Sequence, residues 1–72
     1  MMEWSNLHSG RFEKIGFDEE LKQLHVRYQD GGYQIFYEVR ETEYLGMMRS
    51  DDMEAFFDDK IKEKFPSTDV HG

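Results

Sequence analysis

His25 is the side chain best placed for proton chemistry, because it sits in a firmly alternating stretch, Leu24-His25-Val26-Arg27-Tyr28. A catalytic histidine needs a nucleophile and an orienting group held rigidly beside it. The chain has no cysteine, and Ser5, Ser9, Ser50 and Ser67 fall in stretches that read as an arm, a helix cap and a tail. The neighbouring acids Asp51-Asp52 and Asp58-Asp59 diverge by about 100° on a helix and do not converge on one ion. No P-loop, glycine-rich dinucleotide turn or zinc-ligand spacing occurs. These patterns predict no catalytic residue, no metal site and no cofactor, and leave binding as the chemistry to look for.

The elements that must position His25 follow from hydrophobic period. Arg11 to Phe17 reads as a first strand with Ile15 and Phe17 on one face. Lys22 to Gln29 alternates Leu24, Val26 and Tyr28 against Gln23, His25 and Arg27, and Tyr33 to Val39 alternates Tyr33, Ile35, Tyr37 and Val39. Asp30-Gly31 between them suits a two-residue hairpin turn in which both residues take positive φ. That register sets Tyr28 opposite Tyr33, Val26 opposite Ile35 and Leu24 opposite Tyr37. It places His25, Arg27, Gln34 and Phe36 together on the other face, with Phe36 an aromatic pointing away from the core.

After Val39 the period lengthens to that of a helix. Glu41 to about Arg49 reads as a short helix with Tyr44, Leu45 and Met48 on one stripe. A second helix begins at Asp51, with Glu54 three residues on as in a capping box. It carries Met53, Phe56, Phe57, Ile61 and Phe65 at helical spacing and stops at Pro66. The expected architecture is α+β: a three-stranded antiparallel sheet followed by two helices on one face (β-β-β-α-α), leaving the other face open. Residues 1–10 are expected to be a flexible arm, residues 11–66 one domain and residues 67–72 a disordered tail.

Size and charge narrow the partners. Seventy-two residues make one small domain, which buries only about 60–65% of its unfolded surface. The absence of cysteine suits a reducing compartment. No apolar run approaches the ~20 residues of a membrane span, and the N-terminal residues lack a signal peptide's apolar core, so a cytoplasmic protein is expected. The net charge is −7, of which −5 falls in residues 41–72. Such a field repels phosphate and attracts basic surfaces.

Several short motifs along this order resemble the KTSC domain, a small bacterial and phage domain named for the C-terminus of certain lysyl-tRNA synthetases. Ile15-Gly16-Phe17-Asp18 resembles the family's Ile-Gly-Tyr-Asp start, and Leu24-His25-Val26-Arg27-Tyr28 its Leu-x-Val-x-Phe strand. Gly31-Gly32 stands at its turn, Val39 at its valine and Tyr44 at its first-helix aromatic. Phe56-Phe57-Asp58, Ile61-Lys62 and Phe65-Pro66 are similar to its closing helix. Gln34 and Phe36 stand at the family's Tyr-x-Tyr, and Arg40 replaces its proline. The resemblance implies the same α+β fold and a role in nucleic-acid binding.

Two binding modes are open at this stage. In the first, a protein partner, with a basic surface as one option, meets either the acidic helix (Asp51, Asp52, Glu54, Asp58, Asp59) or the open sheet face (His25, Arg27, Gln34, Phe36). In the second, the open face stacks bases of RNA or another single strand, as the family suggests, although charge disfavours it. No membrane contact is expected, and the chain is read as a monomer or homodimer.

Overall fold

A computed structural model describes residues 2–70. Five strands and two helical segments follow one another along the chain: β1 (Glu3–Ser9), β2 (Phe12–Asp18), β3 (Gln23–Tyr28), β4 (Tyr33–Phe36), α1 (Glu41–Arg49), α2 (Met53–Phe56) and β5 (Ser67–Asp69). Helix α2 continues directly into a π-helical stretch, Phe57–Lys62. The strands form one antiparallel sheet in the order β1-β2-β3-β4-β5. The α+β class stands, but the sheet has five strands where the hydrophobic pattern indicated three.

Both extra strands lie at the sheet edges, and both lack the alternation that marks a half-buried strand. Residues 3–9, expected as a flexible arm, pair along β2 from Glu3↔Phe17 to Ser9↔Phe12. Their two large apolar residues, Trp4 and Leu7, are three apart and so face opposite sides of the sheet. Leu7 packs on the core. Ser67 to Asp69, expected in a disordered tail, pair with Phe36, Ile35 and Gln34 of β4. These three polar, exposed residues are held by the backbone ladder, extended by Tyr37 N–H to Pro66 C=O (2.9 Å) and Val70 N–H to Tyr33 C=O (2.8 Å). The remainder of the expected tail, His71 and Gly72, lies outside the described residues, as does Met1 of the expected arm.

The β3–β4 hairpin differs from expectation by one residue, which reverses a whole strand. Its loop holds three residues, Gln29, Asp30 and Gly31, closed by Gly31 N–H to Tyr28 C=O (3.0 Å) and Tyr28 N–H to Gly32 C=O (2.9 Å). Gly31 has φ of +96°, while Asp30 stays out of the left-handed region that a two-residue turn would demand. Asp30 Oδ1 instead accepts the Gly32 N–H at 2.9 Å, stabilising the longer loop. Leu24 therefore faces Phe36, Val26 faces Gln34 and His25 faces Ile35. Phe36 enters the core, and Tyr33 and Ile35 move to the open face.

One core results. Phe12, Ile15, Phe17, Leu24, Val26, Phe36, Val39, Met47, Phe57 and Ile61 are buried in a single cluster. Phe57 is its hub, edge-on to Phe12 at 5.3 Å and to Phe36 at 5.4 Å between ring centres. Helix α1 matches its expected span, but its buried residue is Met47 rather than Leu45 or Met48; Tyr44 stacks on Phe17 at 4.9 Å. Asp52, not Asp51, caps α2 by accepting the Ala55 N–H at 3.1 Å. That shift by one frees Glu54 from any capping box.

Candidate interaction face

The sheet face turned away from the helices carries an aromatic and cationic cluster. Four strands build it: Trp4 from β1, Lys14 and Gly16 from β2, His25 and Arg27 from β3, and Tyr33 from β4. Trp4 pairs with Gly16 across the β1–β2 ladder. A Cβ at Gly16 would stand 2.8 Å from Trp4 Cδ2, so the bare backbone of Gly16 is the seat on which the indole lies. Trp4 meets His25 edge-on at 5.9 Å and Tyr33 at 6.3 Å. Lys14 Nζ lies 4.9 Å from the Trp4 ring centre, and Arg27 Cζ lies 4.9 Å from that of Tyr33. Arg27 also reaches Glu13 at 3.9 Å. Trp4 remains 37% exposed, so the cluster offers an aromatic surface that no described element covers.

His25 is the fixed centre of this face. It is buried, with Nδ1 2.6 Å from the Tyr33 hydroxyl and Nε2 3.2 Å from Gln23 Oε1. An amide oxygen only accepts, so Nε2 carries the proton and Nδ1 accepts from Tyr33 O–H. That is the neutral imidazole with both nitrogens satisfied. Burial lowers its pKa below the ordinary 6.5, and the charge of Asp18 opposes the shift only in part. The histidine thus braces the Trp4 and Tyr33 rings from the centre of the face.

A pH dependence follows with a definite sign. Above pH 6.5 His25 is neutral in both folded and unfolded chains and contributes no slope. As pH falls through 6.5 the unfolded chain takes up the proton first, so stability drops until the lowered folded pKa is passed. The urea midpoint of the protein should therefore fall on acidification in this window. His25→Gln should flatten the dependence of the midpoint on pH in this window; a variant curve that stays parallel to that of the native protein would show that His25 is not held neutral.

The acids expected on the helix surface separate into two groups. Glu54 and Asp58 form ion pairs with a single arginine in the β1–β2 turn: Arg11 Nε to Glu54 Oε1 at 2.9 Å and Arg11 Nη2 to Asp58 Oδ2 at 2.7 Å. The Arg11 guanidinium, whose own pKa rises, holds the Asp58 carboxyl below the usual carboxylate range. These two acids clamp the first hairpin to the helix and are not free for a partner. Asp51, Asp52 and Asp59 remain exposed, with Asp52 also occupied as the cap.

Of the residues expected on the open sheet face, His25 and Arg27 are there and Gln34 and Phe36 are not. Gln34 lies on the helix side of the sheet, where its Oε1 accepts from Tyr28 O–H. Burial pushes the Tyr28 hydroxyl up to about 12. Phe36 has no exposed surface at all. Trp4, Lys14 and Tyr33 take their place, and the sequence signal for Trp4 was Gly16: an isolated glycine inside a strand marks a close approach by another group. Among the described residues no group of acidic, histidine or cysteine side chains has the arrangement of a metal site. No described helix is long and apolar enough to cross a membrane.

A β-meander closed by two helical segments on one face, with a glycine-seated aromatic cluster on the other, defines a small α+β domain class. The family model of the KTSC domain matches residues 8–65, and the chain belongs to that family. A solved KTSC domain protein from Yersinia pestis superposes with a TM-score of 0.91 at 25% identity, covering 99% of this chain and 100% of that one. No curated protein matches the chain.

Proposed function

We propose that the protein is a non-enzymatic binding module that docks another protein on its open sheet face. The observation that carries this reading is the cluster of Trp4, Tyr33 and Arg27 on a surface that no other described element covers. Tryptophan, tyrosine and arginine are the residue types in which interface hot spots are enriched. Trp4 rests on Gly16 and Tyr33 is tied to His25, so both rings are held before a partner arrives and little ordering cost falls on binding. Asp51, Asp52 and Asp59 contribute to a net charge of −7, which steers a basic partner towards the molecule and repels a polyanion.

A second reading uses the same face for single-stranded RNA. Trp4 on its glycine seat supplies a stacking surface, and Lys14 and Arg27 lie within reach of a flanking phosphate. The two readings part in a salt titration. Single-stranded RNA should show no binding at low salt, while the immobilised protein should retain a partner from nuclease-treated host lysate. Retention should be lost in a Trp4→Ala variant, which removes the exposed ring of that face. RNA binding that weakens steeply with salt would replace the first reading by the second.

A further inference from the structure

The far side of the molecule carries a groove that the sheet-face reading does not use. It lies between α1 and the helical segment after it, encloses about 300 Å³, and is lined by Thr42, Glu43, Phe56, Lys60, Lys64 and Phe65. That volume is at the lower end of pockets that hold small molecules. The floor is apolar: Phe56 and Phe65 are only partly buried, and Phe56 sits against α1 where a Cβ at Gly46 would stand 2.8 Å from its Cζ.

One wall of the groove is built by the π-helical stretch and the turn that follows it. Phe56 and Phe65 are nine residues apart, which is two and a half turns of α-helix at about 3.6 residues per turn and would set them on opposite sides. Phe65 lies beyond the helix end at Glu63, in a turn closed by the Lys64 and Phe65 N–H groups donating to Ile61 C=O, both at 3.2 Å. The π-helical stretch Phe57–Lys62 and that turn together set Phe56, Lys60, Lys64 and Phe65 on one wall. Such stretches are rare and concentrate at functional sites.

The charge at the rim is the opposite of the chain's own. Lys60 and Lys64 flank the apolar floor, and among the described residues neither lies within ion-pair distance of a carboxylate. The one acid in the lining, Glu43, is engaged by Arg40 Nε at 3.6 Å and by the Thr42 hydroxyl at 2.5 Å. An apolar slot ending in two unpaired ammonium groups is complementary to a small molecule with a hydrocarbon body and one carboxylate.

We propose that this groove binds a small amphipathic carboxylate, its apolar part on Phe56 and Phe65 and its carboxylate between Lys60 and Lys64. The probe is octanoate, titrated into the millimolar range against the isotopically labelled protein while amide resonances are followed. Saturable shifts are expected at Thr42, Phe56, Lys60 and Lys64. Octylamine at the same concentration should give none. A Lys60→Gln, Lys64→Gln variant should bind octanoate at least tenfold more weakly, and both positions are exposed, so its resonance pattern should otherwise be that of the native fold. No saturable shift, equal shifts with octylamine, or undiminished binding by a folded double variant would each overturn the proposal. The octylamine comparison needs only the native protein and decides the question if the variant fails to fold.

Discussion

Phe36→Ala is expected to lower the unfolding free energy by about 3–5 kcal/mol, the range for truncating a buried phenylalanine. The ring is fully buried, edge-on to Phe57 and paired across the hairpin with Leu24. Removing it leaves a cavity beneath the hub of the core, where the sheet behind and the helix in front are both anchored and cannot collapse together. A chain of this length has roughly 4–11 kcal/mol in total, at 0.05–0.15 kcal/mol per residue. The variant should therefore lie near the edge of folding, with its urea midpoint sharply reduced. A loss below 1 kcal/mol would place Phe36 at the surface and restore the two-residue hairpin register.

Trp4→Ala is expected to have the largest effect on binding. It removes the most exposed large ring of the open face, and a tryptophan at the centre of an interface contributes on the order of 2 kcal/mol or more on truncation. The dissociation constant for the protein partner should rise about thirtyfold, since 1.4 kcal/mol is a factor of ten. Stability should change far less, because Trp4 lies on an edge strand and outside the buried cluster. Gly16→Val offers an independent route to the same loss: its side chain would intrude on the indole, within 2.8 Å at the Cβ alone, and lift Trp4 from its seat. Both variants should remain folded by circular dichroism. Unchanged affinity in both would remove the open face from the account.

The parts of the fold legible in the sequence are those with a strong period. Strands β2 and β3, helix α1 and the Phe57 and Ile61 stripe all have residues whose burial enforces the pattern. Edge strands β1 and β5 were not legible, because an edge strand needs only one hydrogen-bonded neighbour and places few apolar residues on the core. The register error at β4 has a single cause. Tyr33, Ile35 and Tyr37 form as good an alternating set as Gln34 and Phe36 do a poor one, yet Asp30 and Gly31 form part of a three-residue loop and the weaker-looking set faces the core. Turn length outweighed hydrophobic count. The site was half legible for the same reason: His25 and Arg27 belong to a strand read in register, whereas Tyr33 belongs to the slipped strand and Trp4 to the unread one. The helix acids were legible as charges but not as partners of Arg11, which lies more than forty residues away in sequence.

The proposed docking surface is the face of the sheet turned away from the helices. Amide hydrogen exchange of the protein, alone and in complex with the partner retained from lysate, measures this directly. Protection is expected to rise in β1, β3 and β4 around Trp4, His25, Arg27 and Tyr33, with Asp51, Asp52 and Asp59 unchanged. Protection confined to the segment around Asp51, Asp52 and Asp59, with the sheet face unaltered, would contradict it.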